Sequence, residues 1–125
     1  MDELIASKTA KKLKIDNTPK DDFTISNLHW IMTRLDDIRE AWGKPIIITS
    51  GYRCEELNKA VGGVTTSYHQ LGLAVDIKWN QKLFNFIRDN FKFDKLIEER
   101  SGSGKWIHLQ FRHYNERQQV LTLQA

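Results

Sequence analysis

Two short segments alternate apolar and polar residues so regularly that they constrain the fold more than any other feature of the chain. In segment 74–79 Asp76 stands between apolar residues, and in segment 106–111 His108 does the same. Because successive side chains of a β-strand point to opposite faces, each segment is predicted to be a strand with one apolar face. Asp76 and His108 are therefore both expected on the face away from the most apolar side chains.

The remaining pattern predicts helices and further strands. Apolar residues recur at three- and four-residue steps from Leu28 to Trp42, which indicates an amphipathic helix capped by Thr24 or Ser26 and ended by Gly43 and Pro45. Shorter helices are predicted over about 2–13, 53–61 and 81–90. Further strands are predicted over 45–50 and 93–99, and a flexible turn at 100–105 joins the second of these to segment 106–111.

Length and composition limit the classes of protein to which the chain can belong. Its 125 residues, 40% of them hydrophobic, predict one soluble domain, 1–125, with one core. The net charge of +3 is too small and too dispersed to indicate nucleic-acid binding. No apolar run approaches the ~18 residues that span a bilayer, so membrane insertion is not expected.

The N-terminal residues and the cysteine content indicate where the chain is made. Residues 1–8 have neither the basic start nor the apolar centre of a signal peptide, so synthesis in the cytoplasm is expected. The lone Cys54 excludes an internal disulfide and a cysteine-rich structural zinc site.

His69, Asp76 and His108 together offer two imidazoles and one carboxylate from a turn and two strands. Structural zinc usually takes four protein ligands, whereas catalytic zinc takes three and leaves a fourth position to water. Zinc lowers the pKa of water to about 7 and polarises a substrate carbonyl, so peptide hydrolysis is the natural use of such a set. Taken singly, each residue has an ordinary alternative: a loop histidine, a turn-capping carboxylate and a packed strand histidine.

Other motifs extend around these three residues over almost the whole chain. Ser50-Gly51-Tyr52-Arg53 stands upstream, Ser67-x-His69-x-x-Gly72-x-Ala74-x-Asp76 follows, and Trp106-Ile107-His108 stands downstream. Further marks lie at 15–19, 45–46, 57–58 and 61–63, at 93–97 with Glu99, and at Asn115 with Arg117. Together they resemble the M15-type zinc D-Ala-D-Ala carboxypeptidases and related peptidoglycan endopeptidases, above all the compact form that phages and prophages often carry.

The resemblance implies a fold and a set of site residues. The implied fold is α+β, a small antiparallel sheet with flanking helices, as in hedgehog and D,D-peptidase domains. His69, Asp76 and His108 would bind one zinc ion, and Arg53 and Ser67 would contact the substrate. Arg53 could instead form a surface salt bridge at a helix start, and Ser67 could cap a turn.

The chain departs from several branches of this family at the catalytic carboxylate. Those branches place it three residues before the last histidine, where this chain has Lys105. With an ordinary pKa of about 10.4, lysine does not accept a proton in the same way at neutral pH. Glu99 matches the acidic residue of the compact branch and is the predicted base, with its neighbour Glu98 as the alternative. Strand alternation allows only one of the two to face the metal.

These observations predict a zinc metallopeptidase that hydrolyses peptidoglycan stem peptides, with D,D-carboxypeptidase as the leading activity. One alternative is a phage-type endopeptidase, a lysin that cuts within stems or cross-bridges. Another is a zinc-bearing module of the same fold that binds a partner without cleaving it. The enzyme would reach the cell wall after release from the cell or delivery to it.

Overall fold

The computed structural model describes residues 1–124, in which five strands form one sheet flanked by helices. The strands are β1 (Ile48–Ser50), β2 (Ala74–Lys78), β3 (Lys95–Ser101), β4 (Gly104–Gln110) and β5 (Gln119–Gln124). The helices are α1 (Asp2–Ile5), α2 (Lys8–Leu13), α3 (Asp22–Trp42), α4 (Glu55–Ala60) and α5 (Gln81–Asn90). A short 3₁₀ turn, Tyr68–Leu71, precedes β2. The predicted α+β class is confirmed.

Helix α3 supplies one side of the hydrophobic core. Its residues Leu28, Ile31, Leu35 and Ile38 lie on one face and are at most 2% exposed. The helix begins earlier than its apolar periodicity indicates, because Asp21 caps it. The Asp21 carboxylate accepts hydrogen bonds from the Thr24 amide and hydroxyl, at 2.7 and 3.0 Å. Such a cap satisfies amide groups that have no partner inside the helix.

The strands run in the order β1-β2-β4-β3-β5, and β1, β2, β4 and β3 pair antiparallel. Apolar side chains on one face of β2 and β4 pack with α3 and α5 in the hydrophobic core; they are Val75, Ile77, Ile107 and Leu109. The opposite face carries Asp76 on β2 directly across from His108 on β4. The side-chain alternation read from the sequence is therefore correct for both strands.

Strand β5 is additional to the strands predicted from the sequence. It pairs in parallel with β3 at the edge of the sheet, so the sheet as a whole is mixed. Most of its side chains are exposed. An edge strand with little buried surface does not need an apolar face, and its sequence therefore carries a weak signal.

The helix predicted over 2–13 is interrupted at residues 6 and 7. Ala6 adopts an extended conformation, and the Ser7 hydroxyl accepts a hydrogen bond from the Ala10 amide at 3.1 Å, which starts α2 as a separate helix. Serine favours such a cap over a helix interior because its side chain competes for backbone hydrogen bonds. Within residues 1–124, no helix has the length and hydropathy that a membrane crossing requires.

The Asn17 side chain connects the N-terminal segment to the loop that carries Arg53 through hydrogen bonds. Its side-chain amide donates to the carbonyl groups of Ile5 and Tyr52, at 3.0 and 2.9 Å, and its oxygen accepts from the Cys54 amide at 2.8 Å. The Tyr52 amide also donates to the Leu4 carbonyl at 2.6 Å. Hydrogen bonds to backbone groups of Tyr52 and Cys54 thus hold the loop on both sides of Arg53.

The substitution Gly51→Ala tests the close approach of this loop to α1. A Cβ at residue 51 would overlap the backbone of Leu4, so one of the two segments must move. We expect the free energy of unfolding to fall by about 1–3 kcal/mol, the usual cost of overpacking, in urea denaturation. Gly104→Ala is the control, because a Cβ at residue 104 would lie 3.3 Å from its nearest neighbour, the Ser101 carbonyl oxygen, and needs only a small shift. Wild-type stability of Gly51→Ala would contradict the close contact.

Candidate metal centre and active site

His69 lies in the 3₁₀ turn, where backbone hydrogen bonds hold it in place. Its amide donates to the Ser67 hydroxyl at 3.2 Å, and its carbonyl accepts from the Arg53 amide at 3.1 Å. The ring atom Nδ1 lies 2.7 Å from the Gly51 carbonyl oxygen. Because a carbonyl only accepts, Nδ1 carries the hydrogen of the neutral ring and Nε2 presents its lone pair.

The lone pair of His69 Nε2 faces the carboxylate of Asp76. The two atoms Nε2 and Oδ1 are 3.2 Å apart, yet Nε2 is buried and makes no hydrogen bond. Two acceptor atoms at this distance repel each other unless a cation lies between them or one takes up a proton. This arrangement is the first indication that the site could hold a metal.

His108 completes the cluster from the neighbouring strand. Its Nδ1 atom lies 3.3 Å from the same oxygen of Asp76, and its Nε2 atom lies 3.0 Å from the side-chain oxygen of Gln110. One ligand atom from each of His69, Asp76 and His108 lies within 4.8 Å of the others. All three residues are at most 9% exposed, so the cluster is largely shielded from water.

The charges of the cluster reinforce one another. Burial alone would raise the pKa of Asp76, but the contacts with His108 and His69 outweigh it and hold the pKa below its ordinary value. Burial alone would lower the pKa of His108, but Asp76 outweighs it and raises the pKa. The cluster therefore favours an ionised carboxylate that needs a positive partner.

The donor set fits a divalent metal ion. Two imidazole nitrogens and one carboxylate oxygen are the three protein ligands that catalytic zinc takes. The outer nitrogens of both rings face oxygen acceptors, Gly51 and Gln110, as they do in histidine ligands of metal sites. His69, Asp76 and His108 could therefore hold the zinc ion that the sequence predicts.

The cluster opens into a groove of about 1330 Å³ on the sheet face opposite the core. Glu99 and Trp106 face each other across β3 and β4 and line this groove. The Glu99 carboxylate lies 3.6 Å from His108 Nδ1. Of the two glutamates, Glu99 is thus the one beside the cluster.

Glu98 and Lys105 lie on the other face of the same hairpin. The Glu98 carboxylate pairs with Lys105 at 3.3 Å and with Arg100. The Lys105 ammonium group also lies 4.1 Å from the centre of the Trp79 ring. Residues an odd number apart on a strand face opposite ways, so the side chain at 105 points away from His108.

Arg53 and Ser67 line the groove beside His69. The Arg53 guanidinium lies 3.7 Å from the Asp76 carboxylate and donates to the Asn58 side chain at 3.3 Å. Ser67 caps the 3₁₀ turn through its contact with the His69 amide. The structure brings both residues to the site, and Ser67 also has the capping role that was its ordinary alternative.

A family model described as Peptidase M15 matches residues 1–110. The chain belongs to the M15 peptidase family. No curated protein matches the chain significantly. The resemblance read from the motifs is thereby confirmed, and the family implies a zinc peptidase whose substrate is related to peptidoglycan.

In this M15 peptidase, three residues that were not predicted as site residues lie behind His108; they are Gln110, Asp94 and Arg117. Gln110, which accepts from His108, stands two residues further along β4, and strand alternation alone places it on the same face. Gln110 donates to Asp94 at 2.6 Å, and Asp94 pairs with Arg117. Residues 94 and 117 were recognised as family marks, but no local pattern connects them with His108.

The zinc content of ligand variants tests the metal centre. We expect about one zinc per chain in the wild-type M15 peptidase. His69→Ala and His108→Ala should each bind zinc more than about 100-fold more weakly, because a ligand atom is removed. Loss of a residue that only hydrogen-bonds to a ligand costs about 10–100-fold. The measurement is metal analysis after dialysis. The exposed His29 on α3 provides the control His29→Ala, and full zinc retention in both ligand variants would reject the proposed ligands.

Proposed function

We propose that this M15 peptidase is a zinc D,D-carboxypeptidase that hydrolyses peptidoglycan stem peptides. The observation that carries the proposal is the pair of charged groups beside the cluster. Arg53 offers a cation and Glu99 a carboxylate, and both line the same groove. A peptide with a free carboxyl terminus needs both an anchor for its charge and a group that handles a proton.

Arg53 is suited to hold the terminal carboxylate of the substrate. Its side chain is 14% exposed. Within residues 1–124, this side chain makes one hydrogen bond to another side chain, that of Asn58. Five N–H groups in a planar fork leave donors for a carboxylate, which such a fork binds with two parallel hydrogen bonds. Burial lowers the pKa of Arg53 while Asp76 and Glu99 raise it, and arginine remains charged at neutral pH.

Glu99 is suited to move protons during hydrolysis. A bound zinc ion would supply Lewis-acid polarisation of the scissile carbonyl and a lowered pKa for water. The Glu99 carboxylate, 3.6 Å from His108 Nδ1, would accept the proton of the attacking water and deliver it to the leaving amine. Glu98 is paired with two cations on the far face of the hairpin, so it does not share this role.

The length of the groove favours a second candidate function, a peptidoglycan endopeptidase. Its lining runs from segment 6–9 near the N-terminus to Leu123 on β5, past the cluster on both sides. Its volume of about 1330 Å³ exceeds the roughly 300–1,000 Å³ typical of small-molecule pockets. Such a groove has room for peptide on both sides of the scissile bond, as cutting within a stem or cross-bridge requires.

Matched peptides separate these activities. The carboxypeptidase should release D-Ala from a stem-peptide mimic with a free carboxyl terminus and leave its C-terminal amide intact, because the amide removes the charge that Arg53 binds. Equal cleavage of both peptides supports the endopeptidase. Failure of the zinc-loaded protein to cleave either peptide, or intact cell walls, leaves the binding module as the better description.

The variant Arg53→Lys tests the anchor. It keeps the charge but loses the planar fork, so kcat/KM for the free-acid peptide should fall roughly 10- to 100-fold, since a hydrogen bond to a charged group contributes about 1.5–3 kcal/mol. Zinc content should not change. Arg88→Lys is the control, because Arg88 lies exposed on α5 and pairs with Asp89. Unchanged turnover by Arg53→Lys would reject the anchor.

The pair Glu99→Gln and Glu98→Gln tests the base. Removal of a general base typically costs a factor of about 10² to 10⁴ in rate. Glu99→Gln should therefore lose nearly all peptidase activity while its zinc content and thermal midpoint stay close to those of the wild type. Glu98→Gln, the neighbour on the opposite face, should retain activity. The reverse result would assign the base to Glu98.

A further inference from the structure

Three residues connect His108 to the C-terminal segment. The His108 Nε2 atom contacts the Gln110 oxygen at 3.0 Å, and the Gln110 amide donates to an Asp94 oxygen at 2.6 Å. Arg117 donates to both oxygens of Asp94, at 2.8 and 2.7 Å. The contacts form one continuous chain from a candidate metal ligand to a residue beyond 1–110, the segment that the family model matches.

Asp94 is the fixed point of this chain. Its side chain is fully buried, and its two oxygens accept four hydrogen bonds, two of them to each oxygen. Burial raises its pKa, but the hydrogen bonds from Arg117 and Gln110 outweigh burial and hold the pKa at about 2. At neutral pH Asp94 is therefore an ionised group that only accepts.

The ionised Asp94 dictates which way the Gln110 amide points. If the amide were reversed, its oxygen would lie 2.6 Å from a carboxylate oxygen, and two acceptors would repel each other. The amide nitrogen must face Asp94, so the amide oxygen faces His108. His108 then has to direct an N–H group, Nε2–H, towards Gln110, which leaves Nδ1 for the cluster.

We infer that Arg117, Asp94 and Gln110 form a positioning relay that holds the His108 ring with Nε2–H on Gln110 and so presents Nδ1 to the metal. His69 needs no such relay, because the backbone carbonyl of Gly51 has no alternative orientation. A side-chain amide can reverse, and Asp94 with Arg117 removes that freedom. The inference rests on the metal centre of the proposed function.

Zinc affinity measured by competition with a chelator tests the relay at three points. Gln110→Met and Asp94→Asn should weaken zinc binding about 10- to 100-fold, the usual effect of losing a hydrogen-bond partner that orients a metal ligand. Arg117→Gln should weaken it by about 10-fold. Arg112→Gln is the matched control. Arg112 is similarly exposed and lies 3.8 Å from Asp94, but it makes no hydrogen bond to that carboxylate within residues 1–124.

Zinc affinity equal to that of the wild type in Gln110→Met or in Arg117→Gln would overturn the relay. An equal loss in Arg112→Gln and Arg117→Gln would overturn it as well, because it would indicate a general charge effect. Asp94→Asn removes a fully buried ionic partner, so its zinc affinity is compared only if the variant folds. Gln110→Met and Arg117→Gln test the relay without it.

Nuclear magnetic resonance of the metal-free protein measures the His108 ring N–H directly. A residue that only stabilises the fold would not change this signal. The His108 Nε2–H signal should be downfield and slow to exchange in the wild type and Arg112→Gln, and it should shift and exchange faster in Arg117→Gln. The His69 Nδ1–H signal, held by Gly51, should stay the same in every variant.

This second measurement separates the relay from the metal centre. If the His108 signal depends on Arg117 but the wild type binds no zinc, the proposed metal centre is wrong. The hydrogen-bond chain then exists but does not orient a metal ligand, which overturns the inference. If zinc binds to the wild type and the His108 signal ignores Arg117, the relay alone is wrong.

Discussion

The antiparallel pairing of β2 with β4 is the constraint on which the rest of the site depends. It places Asp76 opposite His108 and, in the same register, puts the apolar residues of both strands in the core. A shift of one residue in either strand would move its entire apolar set to the other face. Burial of the core therefore fixes the position of the two candidate ligands and does not depend on the contact between their side chains.

The two faces of the sheet have different roles, one in stability and the other in the candidate chemistry. One face packs with α3 and α5, and the other carries the groove with its charged groups. The loop with Arg53 and the 3₁₀ turn with His69 complete the groove from outside the sheet, and Asn17 holds that loop. Residues near the N-terminus thus serve the site although none of them is a candidate catalytic group.

Local pattern predicted the parts of this protein whose geometry is local. Strand alternation gave the faces of Asp76 and His108, and the bounds of α5 agree with the prediction. Alternation did not choose between Glu98 and Glu99, because the choice needs the register of the β3–β4 hairpin. Strand β5 was not predicted, because an exposed edge strand has little apolar periodicity. The Gln110–Asp94–Arg117 contacts were not predicted either, because they join residues that are distant in sequence, and no local pattern connects such residues.

The candidate ligands come from three separate parts of the chain, the turn at 69, the strand at 76 and the hairpin at 108. A cation held by all three closes two loops of the unfolded chain, and the entropy of that closure is then part of the folding equilibrium. For a ligand that binds only the folded state, the added free energy is about 4.1 kcal/mol when its free concentration is about 1,000 times its Kd. With such a cation bound, the thermal midpoint of this protein would be a thermodynamic function of the metal supply around it.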